Sequence, residues 1–311
     1  MHPLPYGPGE PFPFAAARAH GISSRALSRA VADGHFARIR HGWYCRTPDA
    51  LESDAQAHRR EIEAALVGGP DGVAASHTSA ARLHGLPLID APRGDGVHLS
   101  RARRSGGRSA AGLIVHTSPN ALQVVEKDGL PVTSVAQTVA DVARTCGFVT
   151  GVCAADRALH EKLMTTVEFA EEVERHRGRT GAATLREVAA FADGLAESPG
   201  ESLSRCVIAR FPEIPRPRLQ HEFRRPDGGF VARTDFDWEG RLVGEFDGKT
   251  KYTGRARPGE DPGEAAWREK RREDEIRALG PFVVRWIWAD LYRPARLRRI
   301  LLDGLTRAGL R

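Results

Sequence analysis

Hydrophobic and polar positions alternate with period two along Val231–Asp237 and again along Leu242–Asp247. The intervening Trp238-Glu239-Gly240 reads as a hairpin loop with glycine last, the pattern of a type I turn followed by a left-handed position. In such a hairpin the odd-numbered residues of both strands share one face. Phe236, Leu242 and Phe246 then point into a core, while Asp235, Asp237, Glu245 and Asp247 gather on the other side. Like charges on neighbouring strands repel unless something compensates. This face is therefore either a solvated sheet surface or a place for a divalent cation.

The surrounding pattern predicts the rest of a domain. After the Ser198-Pro199-Gly200 punctuation, Glu201 opens an apolar-periodic helix through Leu203, Val207 and Ile208. Beyond the hairpin, the polar stretch TGRARPGEDPGEA leads to a charged helix from Ala265 to Leu279, which Gly280 stops. FVVRWIW reads as a buried strand and ADLYRPARLRRILLDGL as a closing helix. Helices around a mixed sheet make an α/β sandwich. The charges of WREKRREDEIRALG form mostly a solvated face, with Arg272 or Arg285 placed to reach the acidic face or a DNA phosphate.

At the other end, Phe14–His20 is a short helix stopped by Gly21, and Ser23 or Ser24 caps a second helix, Arg25–Ala32. HFARIRHGWYC then gives two strands that turn at His41-Gly42. Helix, turn, helix and strand hairpin outline a winged helix-turn-helix. Arg25, Ser28 and Arg29 on the second helix, with Arg38, Arg40 and Arg46 on the wing, suit phosphate and groove-edge contacts. A small basic helical subdomain is the plainer alternative.

Between these ends lies a mixed α/β and helical region. SHTSAARLHGLPL reads as a capped helix, GVHLS and GLIVHTS as strands, and LPVTSVAQTVADVARTC as an amphipathic helix capped by Thr133 or Ser134. The loop SRARRSGGRSAAG carries Arg101, Arg103, Arg104 and Arg108, either as a phosphate-seeking arm or as a solvated loop. His77 and His84 sit seven apart on one helix face, a spacing read here as packing or capping rather than metal binding. Helical segments fill Val152 to Leu195, with RHRGRTGAA as a turn or hinge. The expected domains are 1–50, 51–197 and 198–311.

Composition narrows the class. At 311 residues, with 41% hydrophobic and 28% charged residues, the chain is long enough for more than one domain with a real core. Its longest apolar runs are too short and interrupted to cross a bilayer, and MHPLPYGPGEPFPF lacks the features of a signal peptide. A cytoplasmic protein without membrane association is expected. Cys45, Cys146, Cys153 and Cys206 are scattered, with no Cys-x-x-Cys pair, which argues against a disulfide framework or a structural zinc site. The net charge of +6 leans toward a polyanionic partner.

Two resemblances build on these residues. GISSRALSRAVADGHFARIRHGWY, SHTSAARLHGLPL and LPVTSVAQTVADVAR resemble the AbiEi-like antitoxins of type IV toxin–antitoxin systems. That implies a DNA-binding winged helix, a following domain that supports antitoxin action, and a toxin or defence protein as partner. Glu201 to Leu302, with ES, RTDFDW, GEFDGKTKY, EKRREDEIRALG and VVRWIWADL in order, resembles endonuclease-like proteins related to very-short-patch-repair endonucleases. These belong to the PD-(D/E)XK nuclease superfamily, whose restriction-endonuclease-like fold is an α/β sandwich. The resemblance implies that Asp235 and Glu245 hold Mg²⁺ (or Mn²⁺) against the scissile phosphate, and that Glu201 is the first-helix carboxylate.

One position departs from that family. The superfamily lysine stands two residues after the acidic residue, where this chain has Asp247. Lys249 and Lys251 are then the candidates for the lysine role, and Asp247 for an additional metal ligand. Phosphodiester hydrolysis independently needs a hard, oxygen-liganded cation and a positive group near the attacking water. The expected function is a metal-dependent DNA endonuclease guided by Arg25, Arg29, Arg38 and Arg40, in defence or DNA processing. A homodimer would supply the two active sites that cutting both strands usually takes. The alternative is a transcriptional regulator or antitoxin with a catalytically silent nuclease-like domain.

Overall fold

A computed structural model describes residues 4–48, 52–91, 96–110, 112–248 and 275–311, together with Trp267 and Arg271. The fold is mixed α/β, with a three-, a six- and a four-stranded sheet among the described residues. The chain divides into two compact units, Met1–Ala154 with Leu163–Ala190, and Ala155–Lys162 with Phe191–Arg311. No helix among the described residues is long and apolar enough to cross a membrane.

The first unit opens with β1 (Phe12–Pro13), α1 (Phe14–Ala19), α2 (Ser24–Ala32), β2 (Phe36–Arg40) and β3 (Trp43–Arg46). Ser23, not Ser24, is the N-cap of α2, its hydroxyl accepting from Ala26 N at 3.2 Å. β2 and β3 pair as an antiparallel wing around Gly42, whose φ of +75° fits the tight turn. Phe12, Ile22, Leu27 and Phe36 form the apolar centre, which turns the arginines of α2 outward.

The rest of this unit contains α3 (Asp54–Val67), β4 (Val73–Ala75), α4 (His77–Leu83), β5 (Val97–Ala102), β6 (Arg108–Ala110), β7 (Leu113–Ser118), β8 (Val124–Lys127) and β9 (Leu130–Thr133). Four helices follow: α5 (Val135–Cys146), α6 (Phe148–His160), whose last turns belong to the second unit, α7 (Thr166–Arg175) and α8 (Ala182–Phe191). Ser134 rather than Thr133 caps α5, accepting from Gln137 N at 3.3 Å. The strands form one sheet in the order β6-β7-β5-β4-β9-β8. Val97, Leu99 and Val115 enter its apolar core with Ile62 and Ala65 of α3.

The second unit is built on α9 (Pro199–Ile208), β10 (Arg218–Arg224), β11 (Phe230–Trp238), β12 (Leu242–Asp247) and β13 (Phe282–Ile287), and closes with a helix over Pro294–Arg307. The sheet runs β10-β11-β12-β13, antiparallel except for the parallel β12–β13 pair. Even-numbered residues face α9 and the closing helix: Gly200 lies against Phe246, Trp286 Nε1 donates to Ser204 Oγ at 2.8 Å, and Gly304 packs on Leu242 and Val284. On the opposite side Val243 packs with Ile276. Helical Trp267, Arg271 and residues 275–278 fall in the expected charged helix, much of which, with Arg272, lies outside the described residues.

Candidate functional site

Strand register decides which carboxylates meet. Asp237 opposes Val243 and Phe236 opposes Gly244, so one further step along the hairpin sets Asp235 against Glu245. On the other side Glu245 is in register with Arg285, and Asp247 with Ile287. Asp235, Glu245 and Arg285 therefore stand on successive strands of one sheet face. Asp235 Oδ2 accepts from Phe246 N at 2.9 Å, which fixes the carboxylate where the ladder ends. Glu245 is buried despite its charge, 7% exposed, and Asp247 is exposed.

The turn differs from the expected form. Strand β11 continues through Trp238, and the loop carries Glu239 and Gly240 at φ of +54° and +70°. Two successive left-handed residues suit a type I′ arrangement, whose twist matches that of the flanking strands. Arg241 N closes the loop onto Trp238 O at 3.0 Å. The loop is displaced by one residue from Trp238-Glu239-Gly240, yet the odd-numbered face survives, because alternation within each strand sets it.

Asp237 belongs to that face but not to the acidic group. It is fully buried, accepts from Arg218 Nε at 2.7 Å, and is also contacted by Arg218 Nη2. Its Oδ1 accepts from Gly240 N at 3.0 Å. Sequence reasoning missed Arg218, since only the β10–β11 register brings it opposite Asp237. Charge compensation at this position comes from a guanidinium and a turn amide.

Glu201 is likewise engaged in the fold. Ser198 caps α9, and Glu201 accepts from Ser198 Oγ at 2.7 Å and from Glu197 N at 2.9 Å. Gln220, on β10 with φ of +51°, donates Nε2 to Glu201 Oε2 at 3.0 Å. A carboxylate three residues into a helix also sits favourably against the helix dipole. Asp235, Glu245 and Asp247 do not draw their oxygens into a group of three within 4.8 Å of one another; the group that meets this measure among the described residues is His77, His98 and His116. Lys249 and Lys251 lie outside the described residues.

Arg25, Arg29 and Arg38 are exposed and Arg40 is half-buried, where desolvation lowers its pKa from the usual arginine value. In the loop after β5, Arg103 and Arg104 are exposed, whereas Arg101 donates Nη2 to Gly106 O at 2.9 Å. His84 Nε2 donates to Thr133 O at 2.8 Å, a packing role, and His84 is not joined to His77.

Over 203 residues the chain is 32% identical to the "Uncharacterized protein Rv2248" of Mycobacterium tuberculosis strain H37Rv, spanning 65% of this chain and 71% of the relative. The chain belongs to the Rv2248 family. The "Uncharacterized protein MT2308" of Mycobacterium tuberculosis strain CDC 1551 / Oshkosh is similar to this chain with the same identity and coverage. Within this Rv2248-family chain, residues 12–47 match the family model described as "Transcriptional regulator, AbiEi antitoxin". That match takes in α1, α2 and the wing. A crystal structure of the RV2827C protein from Mycobacterium tuberculosis is similar at 13% identity over 70% of this chain and 84% of that one. The TM-score between the two is 0.38.

Proposed function

We propose that this chain binds duplex DNA through α2 and the wing, and hydrolyses phosphodiester bonds at the Asp235–Glu245 face with Mg²⁺ or Mn²⁺. The observation that carries the reading is the β11–β12–β13 register, with two carboxylates and Arg285 on adjacent strands of one face. The donor set fits the ion: carboxylate oxygens suit a hard divalent cation. Asp235 and Glu245 would hold it, with Asp247 as the further acidic candidate. The bound ion supplies charge neutralisation at the phosphate and a lower pKa for water.

The chain's own residues do the rest of the work. Arg285 is the group to orient a phosphate, since a guanidinium offers forked donors to its oxygens. The hydrogen bond from Phe246 N keeps Asp235 in one orientation. Lys249 or Lys251 is the proposed ammonium beside the attacking water. Glu201 holds the start of α9, and through it the even face behind the site, so its role is positioning.

A second reading rests on the N-terminal family match and on Asp247 in the position of the superfamily lysine. In it the chain is a transcriptional regulator or antitoxin, with a toxin as partner, and its C-terminal sheet cuts nothing. Plasmid nicking by the purified protein across Mg²⁺, Mn²⁺ and chelator separates the two. The nuclease reading expects metal-dependent nicking that falls by orders of magnitude in Asp235→Asn and Glu245→Gln, with DNA affinity retained. If no DNA form is cut, and neither metal raises the melting temperature, the regulator reading stands in its place.

A further inference from the structure

The first unit gathers three imidazoles from three separate elements. His77 opens α4, His98 lies on β5 and His116 on β7. β5 and β7 run parallel with Ser100 opposite His116 and His98 opposite Ile114, so His98 and His116 share a sheet face. His98 Nδ1 and His116 Nε2 are 3.0 Å apart, and the His77 ring stacks on that of His116 with centroids 3.7 Å apart. One ring nitrogen from each histidine comes within 4.8 Å of the other two. His77 holds this position with φ of +50°, a strained conformation for a non-glycine residue that tends to persist at functional sites.

We propose that His77, His98 and His116 bind one divalent transition-metal ion of the zinc class, with a remaining position open to the adjoining cavity. Three imidazole nitrogens suit such an ion and not Mg²⁺, which takes oxygen. The 3.0 Å between His98 Nδ1 and His116 Nε2 is close to the separation of roughly 3.3 Å expected for tetrahedral ligands at ~2.0–2.1 Å from zinc.

The surroundings resemble an outer ligand shell. Ser76 Oγ lies 2.9 Å from His77 Nδ1, and Asp141 Oδ1 lies 3.9 Å from His77 Nε2. With Nε2 toward the ion, Nδ1 has the Ser76 hydroxyl behind it, the arrangement that orients metal-bound histidines, while Asp141 contributes its charge from beyond hydrogen-bond distance. Ser100 fixes Ser76 with a 2.8 Å hydrogen bond, and Asp141 is itself held by Arg144 at 3.1 Å and His176 at 3.4 Å. A cavity of about 450 Å³ is lined by His77, His116 and Asp141 together with Arg144 and Arg179. Those two guanidiniums favour an anion as the outer ligand of the ion. Three protein ligands with an open position is the pattern of zinc sites that act on a bound molecule rather than only brace a fold.

The proposal is independent of nuclease activity, since the donors and the unit differ. Its test uses the full chain, free of any histidine tag, stripped with chelator and then titrated with Co²⁺ and Zn²⁺. The expected result is about one Co²⁺ per chain, with visible d–d bands that zinc abolishes, and a melting temperature raised by zinc. Ser76→Ala should weaken binding by roughly 10–100-fold, as loss of an outer-shell partner does, and His98→Gln or His116→Gln should abolish the bands. The Asp235→Asn/Glu245→Gln double variant should keep them. The idea is overturned if wild type shows no d–d bands and no zinc-dependent melt. It is also overturned if thiolate-to-cobalt charge-transfer bands appear, or if the double variant loses the spectrum. Because the wild-type titration is decisive alone, a histidine variant that fails to fold leaves the test intact.

Discussion

Asp235 and Asp237 stand two positions apart on the same strand face, yet their surroundings assign them opposite duties. Asp237 is buried between Arg218 and the Gly240 amide. Asparagine there loses the charge that a guanidinium faces, and its amide group meets donors. We expect Asp237→Asn to lower stability by about 1–3 kcal/mol, with cleavage per folded molecule unchanged. Asp235→Asn keeps an oxygen for Phe246 N. It should leave the melt nearly unchanged while removing metal-dependent stabilisation and cleavage. Paired thermal melts, with and without Mg²⁺, check both variants. Equal destabilisation of the two would mean that the whole acidic face is structural.

At the scale of elements, the contact between α9 and β12 sets how the sheet is backed behind the candidate site. An added Cβ at Gly200 would come within 1.9 Å of Phe246 Cε1, closer than any side chain can tolerate. The helix sits this near only because glycine occupies that turn. Gly200→Ala should therefore cost about 1–3 kcal/mol through overpacking. Phe246→Leu, which removes the obstructing ring edge, should restore part of that loss in the double variant. Denaturant midpoints of the single and double variants measure the coupling. Additive losses would show that the helix start moves freely away from β12.

For the whole molecule, the net charge of +6 matters through where it is exposed. Arg25, Arg29 and Arg38 project from the α2 and wing surface, and Arg40 is half-buried beside them on the same hairpin. If each neutralises a phosphate, the slope of log affinity against log salt should shallow by about 0.9 for every arginine replaced by alanine. Fluorescence anisotropy with a labelled duplex at several salt concentrations reads that slope. A quadruple variant with the wild-type slope would place the DNA contacts elsewhere.

The sequence by itself determined what depends on near neighbours. The two N-terminal helices and the wing turn at His41-Gly42 were readable because capping, glycine and apolar spacing act over a few residues. The shared face of Asp235, Glu245 and Asp247 was readable too, since strand alternation survives a one-residue displacement of the loop. The choice of Ser23 over Ser24, and of Ser134 over Thr133, needed backbone geometry, because either hydroxyl satisfies the local pattern. Only the tertiary structure decided the partners of the buried charges. Arg218 meets Asp237 and Gln220 meets Glu201 across 19 residues of sequence each, by virtue of strand order and register. The histidines illustrate the same limit: spacing along α4 linked His77 to His84, whereas the fold joins His77 to His98 and His116 from two parallel strands. Periodicity reports which way a side chain points, but the group it meets there is set by chain segments distant in sequence.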